Sequence, residues 1–319
     1  MQIETKQQFS PAAQVHKFGG SSLASAQRFA AVADILQQQN RQQALWVVVS
    51  APGDTTDALL AIIAAAENIA VRDTALNALQ AQLTAIVQQT LAAEAATIVT
   101  AQLRQWLAAV PDKLAQQQLN DVLAIGERLS ALLLSELLKQ RGFNAVAVDA
   151  RDFLRLKQHQ PDWAQSAALL STLSQSDAIQ VVTGYIARDE KGRSITLGRN
   201  GSDYSATLLG ALVQAAEVTI WTDVKAIYSA DPRKVASAVP YRQVSWQQAC
   251  QLAQLGNPVL HARTLAPLTG TNTVLQVRSS YEPAQGGCCV VQPGLTGQGA
   301  AQQGFITELN DVTLLTLHQ

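Results

Sequence analysis

VHKFGGSSLASAQRFAAVADILQQQ, residues 15–39, changes its hydrophobic period partway along. Residues 15–18 form a short β-prone run that ends on Gly19 and Gly20. After Ser21 and Ser22, the apolar residues Leu23, Phe29, Val32, Ile35 and Leu36 recur at helical spacing. Strand, turn and helix therefore follow one another without a linker. The unit repeats immediately: ALWVVVS, residues 44–50, is the continuous apolar run of a strand buried on both faces, and Pro52-Gly53-Asp54-Thr55-Thr56 leads into a second helix.

Working outward, residues 57–140 are rich in Ala, Gln and Leu and poor in β-branched clusters, which predicts several consecutive helices broken near Pro111 and Gly126. Such a block caps one lobe. Further strands are expected at 145–148, 179–183, 195–197 and 218–222, with a hairpin signal at Asp189-Glu190-Lys191-Gly192. The fold class implied is α/β with a mainly parallel sheet. Near Gln285 the pattern weakens into a Gly-rich linker, residues 293–299, before an alternating stretch at 305–317. A lone strand there reads as a docking extension or as the first strand of a truncated region.

The chain of 319 residues is 48% hydrophobic and 15% charged, enough for one large core or two fused lobes. Cys250, Cys288 and Cys289 show neither disulfide-framework nor zinc-site spacing, which points to a reducing, cytoplasmic setting. A net charge of -1 argues against nucleic-acid or anionic-membrane partners and in favour of a small molecule. Residues 1–14 read as a polar tail without the apolar core of a signal peptide, and the longest apolar stretch, residues 58–66, is too short to span a bilayer.

Four segments carry chemistry. Lys17-Phe18-Gly19-Gly20-Ser21-Ser22 sets a cation, two glycines and two hydroxyls where a strand meets a helix, a junction suited to phosphate. On these residues alone an ordinary tight turn is an equal reading, and the segment is neither a P-loop nor a dinucleotide fingerprint. Thr196-Leu197-Gly198-Arg199-Asn200-Gly201-Ser202-Asp203 again joins a strand to a helix, with Ser202 or Asp203 expected to cap it. There Arg199 has a fork that pairs with carboxylates, and Asp203 has the charge to hold Lys17 or a hydrated metal. Trp221-Thr222-Asp223, continuing through Tyr228 to Arg233, leaves a strand for a loop able to hold a nucleotide. Glu127, after Gly126, is a carboxylate suited to a substrate ammonium or simply to solvent.

Taken together, KFGGSS, the Gly126-Glu127 pair, LGRNGSDYSA and WTDVKAIYSADPR resemble, in that order, the motifs of the aspartate kinases in the amino acid kinase superfamily. GRNGSDYSA and GNPVLHART look most like the kinase portion of the bifunctional aspartokinase/homoserine dehydrogenases of the methionine-branch type. The resemblance covers residues 15–279. It implies a three-layer αβα sandwich of two lobes, an aspartate-binding lobe at about 15–200 and a nucleotide-binding lobe at about 201–290. Residues 291–319 would then be a linker and the start of an ACT-like region, followed in the intact protein by a dehydrogenase.

The implied reaction is ATP-dependent phosphorylation of the L-aspartate side chain, the first step toward lysine, threonine and methionine, with Mg²⁺ on the phosphates. Carried over by position, Lys17 binds phosphate and Asp203 organises it. Gly19, Gly20 and Ser21 cradle the transferred group. Thr56, Glu127, Arg199 and Ser202 hold aspartate, while Thr222, Asp223, Tyr228 and Arg233 hold ATP. A homodimer is the family expectation. One departure is Pro258, where the family carries a nucleotide-contacting lysine; Arg263 is a candidate substitute, and His261 reads as packed or helix-capping. The alternatives are another amino acid kinase, of the glutamate or acetylglutamate type, or a non-catalytic nucleotide-binding module.

Overall fold

The structure, a computed structural model, describes residues 13–39, 44–173, 177–230, 234–255 and 260–292. Strand β1 (Gln14–Phe18) turns through a short 3-10 helix at Gly20–Leu23 into α1 (Ala26–Gln37). The helix starts later than the apolar spacing suggested because Leu23 belongs to the 3-10 turn and Ser25 caps α1, its Oγ accepting from the Arg28 N–H at 3.3 Å. Then β2 (Leu45–Val49) leads into α2 (Thr55–Ala64).

The helical block resolves into α3 (Ile69–Thr90), α4 (Ala93–Ala108), α5 (Val110–Ala115), α6 (Leu119–Leu123) and α7 (Ile125–Gln140). Pro111 opens α5, where its missing N–H costs nothing, and the break expected at Gly126 falls at Ala124. Next come β3 (Ala145–Val148), β4 (Arg155–Lys157), β5 (Gln160–Pro161), α8 (Trp163–Leu173), β6 (Ile179–Thr183), β7 (Ile186–Asp189) and β8 (Ser194–Thr196). The chain continues through α9 (Gly201–Leu212), β9 (Glu217–Thr222), β10 (Ile227–Tyr228), β11 (Pro240–Tyr241), β12 (Gln243–Ser245), α10 (Trp246–Gln254), α11 (Ala262–Leu265), β13 (Val274–Ser279) and β14 (Cys288–Val291).

Eight strands form the central sheet in the order β12-β14-β13-β9-β1-β2-β6-β3, and from β13 to β3 every neighbour is parallel. β14 returns antiparallel to β13, so the sheet continues past Gln285, where the sequence pattern weakens, and ends at Val291. β7 and β8 form the expected hairpin, but with β4 and β5 they make a separate four-stranded sheet. The stretch at 305–317 lies outside the described residues.

Side chains alternate across the sheet, giving an αβα sandwich. Trp46 and Val48 of β2 enter a core with α9 and α10, whereas Val47 and Val49 enter a core with α1, α3, α4 and α7. Among the described residues no helix is long and apolar enough to cross a membrane.

Gly126 sets how closely α7 approaches the β2–α2 turn: a Cβ there would lie 2.5 Å from the Ala51 Cβ and 3.1 Å from the Thr55 Cγ2. Overpacking of this kind costs about 1–3 kcal/mol, more than the ~1 kcal/mol of helix propensity that alanine returns. Gly126→Ala is therefore expected to lower the urea midpoint despite improving the helix, and Ala51→Gly in the same chain should recover part of the loss.

Candidate active site

Parallel strands end together, and here β1, β2, β6 and β9 deliver the Gly19-Gly20 turn, Ser50, Gly184 and Thr222 to one sheet edge. A pocket of about 410 Å³ opens there, lined by Lys17, Gly20, Ser50, Ala51, Gly53, Thr56, Glu127, Tyr185 and residues 198–203. Its floor is tight because Gly20 carries no side chain: a Cβ would meet the carbonyl oxygens of Gly53 and Ala51 at 3.0 and 3.1 Å.

Lys17 is the last charge on the central strand, and its Nζ lies 2.6 Å from Asp203 Oδ1, with side-chain exposures of 11% and 16%. The contact is a close ion pair rather than an aligned hydrogen bond, since Oδ1 is buried and has no hydrogen-bond partner. Gly19 leaves room for the ammonium, which would stand 3.3 Å from a Cβ built there. A cation half spoken for by one aspartate still has N–H donors for an anion in the pocket.

Glu127, in the first turn of α7, is 2% exposed, and its Oε2 has no hydrogen-bond partner. Burial pushes its carboxyl up to about 8, opposed only by backbone N–H groups of Glu127 itself and Ala51. A buried carboxyl oxygen without a partner, at the wall of a pocket, is a place for a ligand's donor.

The opposite wall is the turn into α9. Gly198 (φ 74°) and Asn200 (φ 55°) are both left-handed, and Asn200 is the N-cap without a side-chain cap bond. Ser202 and Asp203 do not cap α9, as the sequence suggested; they lie inside its first turn, behind Gly201, whose N–H donates to the Gly198 carbonyl at 2.9 Å. Arg199 is exposed on this turn, next to the cavity. Arg263 packs behind this turn. Its Nη1 donates to the Leu197 carbonyl at 2.6 Å, and the guanidinium lies 4.5 Å from the Tyr204 ring centre, so it braces the Arg199 turn from behind.

The structure thus brings together Lys17, Gly20, Thr56, Glu127, Arg199, Ser202 and Asp203, with Gly19 adjoining. Ser21 is exposed beside the turn, its carbonyl accepting from the Tyr281 hydroxyl at 3.1 Å. Ser22 is not a cradle group: it is buried and shares a 2.7 Å hydrogen bond with Ser280. Thr222, Asp223 and Tyr228 do not line the pocket. Thr222 ends β9 and donates to Asp223 Oδ1 at 3.0 Å, and Tyr228 packs on the core from β10. Arg233 and Pro258 lie outside the described residues. His261 caps α11, its Nδ1 accepting from the Arg263 N–H at 3.2 Å.

Tyr185 was not singled out from the sequence. It lines the pocket with a left-handed backbone (φ 67°), and the available signal was its place after Gly184 at the end of a buried strand. A buried histidine also went unread: Trp221 Nε1 donates to His16 Nδ1 at 3.0 Å, and burial, aided by Arg278, lowers His16 to about 3, so it is neutral structure and not a base.

Comparison with known proteins places the chain in a family. The model of the amino acid kinase family matches residues 13–279. Bifunctional aspartokinase/homoserine dehydrogenase 2 of Escherichia coli (strain K12) is 38% identical over 95% of this chain, which spans only 38% of that relative's length. Lysine-sensitive aspartokinase 3 of the same organism is 31% identical, with 95% of this chain and 69% of the relative covered. The crystal structure of E. coli aspartokinase III in complex with aspartate and ADP (R-state) superposes with a TM-score of 0.76 at 30% identity, covering 88% of this chain and 64% of that one.

Glu127 predicts a pH signature independent of any ligand. Because its folded value, about 8, lies above the ordinary 4.5, the folded chain binds that proton more tightly than the unfolded chain. This stabilisation is complete below the unfolded value and is lost as pH rises through the folded one, at up to about 1.4 kcal/mol per pH unit. Between those two values, urea unfolding should show the wild type losing stability relative to Glu127→Gln; parallel curves would mean that Glu127 is ionised throughout.

Proposed function

The chain belongs to the amino acid kinase family and, within it, to the aspartokinases, and from that membership we propose that it transfers the γ-phosphoryl group of ATP to the side-chain carboxylate of L-aspartate. The products are 4-phospho-L-aspartate and ADP. The observation that carries the reading is the Lys17–Asp203 pair at 2.6 Å in a pocket that has the unpartnered Glu127 oxygen on one wall and Arg199 on the other.

An aspartate side chain with a pKa of about 4 is ionised at neutral pH, so the acceptor needs no general base. A carboxylate oxygen attacks the γ-phosphorus in line, the new O–P bond forms, and the bond to the β–γ bridging oxygen breaks with its electrons leaving on ADP. Catalysis then rests on position and charge. Lys17 offsets negative charge on the transferring oxygens, and Asp203 holds the ammonium in place. Glu127 takes the substrate ammonium and Arg199 a carboxylate, with Thr56 and Ser202 as hydrogen-bonding neighbours. Thr222, Asp223, Tyr228 and Arg233 hold the nucleotide, with Gly19, Gly20 and Ser21 beside its γ end.

The pocket's two carboxylates are Glu127 and Asp203, and no group of three His, Cys, Asp or Glu converges among the described residues. That set fits Mg²⁺ held mainly by phosphate oxygens and water, with Asp203 nearby. When bound, Mg²⁺ neutralises charge between the β- and γ-phosphates. The three cysteines are free, Cys288 being buried with its thiol pushed up to about 12 by burial, in keeping with a cytoplasmic enzyme. We extend the proposal to a homodimer on family grounds.

The test is ADP release from Mg-ATP with L-aspartate or L-glutamate, hydroxylamine trapping any acyl phosphate as the hydroxamate. ADP and hydroxamate that depend on aspartate support the reading; ATP binding without turnover would replace it with a non-catalytic module. In the active enzyme, Lys17→Ala should lower kcat by about 10²–10³, the scale of losing one charge-stabilising donor, with a far smaller change in the aspartate KM. Since an ammonium pairs with an ionised Glu127, the aspartate KM should fall as pH rises from neutrality toward about 8, and Glu127→Gln should abolish that dependence.

A further inference from the structure

Arg151 lies outside the pocket, yet it joins the roots of both pocket walls. Its guanidinium grips Asp149 with two bonds, Nε to Oδ1 at 2.9 Å and Nη2 to Oδ2 at 2.7 Å. Nη1 reaches Asp121 Oδ1 at 2.5 Å and Ser194 Oγ at 3.1 Å, and Ser194 Oγ itself donates to Asp121 Oδ1 at 2.6 Å. The side chain is 9% exposed. Burial disfavours its charge, but Asp149 outweighs burial and the guanidinium is held above its ordinary value; Asp149 likewise stays below its own range despite burial, through Arg151.

What these partners support is decisive. Asp121 is on α6, which passes through Ala124 directly into α7 and Glu127. Ser194 opens β8, which runs into the turn bearing Arg199, Ser202 and Asp203. A second tie runs parallel to the first, Asn120 Nδ2 donating to the Ser194 carbonyl at 2.9 Å. Asp149 also stands 3.7 Å from Arg128, the residue after Glu127, whose guanidinium covers the Trp106 ring at 4.2 Å. A buried planar fork with three fixed partners tolerates little movement, and lysine cannot reproduce it.

We propose that Arg151 is a positioning residue that fixes the gap between Glu127 and Arg199, and through it the length of acceptor the pocket accepts. The inference rests on the aspartate-kinase reading and deepens it. An amino dicarboxylate gripped at its ammonium by one wall and at a carboxylate by the other is measured by the distance between the walls. L-Glutamate is one methylene longer than L-aspartate, a difference pockets exploit only when their walls are held rigidly.

The test uses residues 1–319 as wild type, Ser194→Ala and Arg151→Lys, with calorimetric L-aspartate binding and steady-state kinetics. Ser194→Ala deletes one hydroxyl and leaves every charge paired, so folding is not at stake. The expected result is roughly tenfold weaker aspartate binding and a matching rise in aspartate KM, within the hundredfold or so that a 1 Å misplacement can cost. The ATP KM should be unchanged and the preference for aspartate over glutamate reduced. Arg151→Lys should shift all three readouts in the same direction and further. Unchanged aspartate affinity in both variants, or aspartate and ATP KM rising together with a lowered Tm, overturns the positioning role and leaves the kinase reading standing. A wild type that binds no aspartate overturns both.

Discussion

A lysine on the central strand of a parallel sheet is the constraint from which the rest of this structure follows. β1 has a neighbour on each side and a layer on each face, so Lys17, 9% exposed, has no route to bulk water along most of its length. An ammonium in that position needs a counter-charge. Asp203 supplies it only because α9 packs hard onto the sheet, buried almost all round, with Gly210 so close to Val218 that a Cβ would stand 2.4 Å from its Cγ2. The close-packed helix, the uncapped turn before it and the buried ion pair are one structural decision.

The pocket holds a second carboxyl under opposite conditions. Asp203 faces an ammonium, whereas Glu127 meets only backbone N–H groups, with one oxygen unpartnered. Two carboxyls in one cavity, one facing an ammonium at 2.6 Å and one raised by burial, are set in different environments and can take different roles in a site. Here the neutral one waits for a cation.

Much of this was legible in the sequence because the period changes from strand to helix within residues 15–39 and again after residue 44. The same local order placed Lys17 at the end of β1 and Arg199 and Asp203 at a strand-to-helix turn, whereas Glu127, between α6 and α7, was marked only by the Gly126-Glu127 pair and the family resemblance. The misses have physical causes. β12 and β14 are three and four residues long and pair with each other across more than forty residues, so no local period marks them. Ser22 is one of the two hydroxyls at the first strand-helix junction, but it is tied to Ser280, 258 residues away, a pairing no local pattern marks. The capping role given to Ser202 or Asp203 assumed a standard helix start, and a left-handed Asn200 moved that start upstream. Tyr185 carries no charge and matched no pattern.

The strand order also constrains how a phosphoryl group would move on the proposed reading. β1 lies between β9 and β2, with β6 beyond β2. The residues assigned to the nucleotide, Thr222 and Asp223, leave from β9, and Phe18 pairs with Trp221 in the ladder, so the Gly19 turn and Thr222 depart from adjacent strand ends. Of the residues assigned to the acceptor, Thr56 follows β2 on the far side, and Glu127 is in the first turn of α7, a helix that contacts β2 and β6. Donor and acceptor then approach from opposite sides of one strand, and a group passing between them in line must cross the end of β1. The only cation that strand offers at its carboxyl end is Lys17, already held by Asp203. Preorganisation of this sort leaves little for the protein to rearrange as charge shifts, and with an acceptor that is already ionised and needs no base, such positioning and charge are what remain for catalysis.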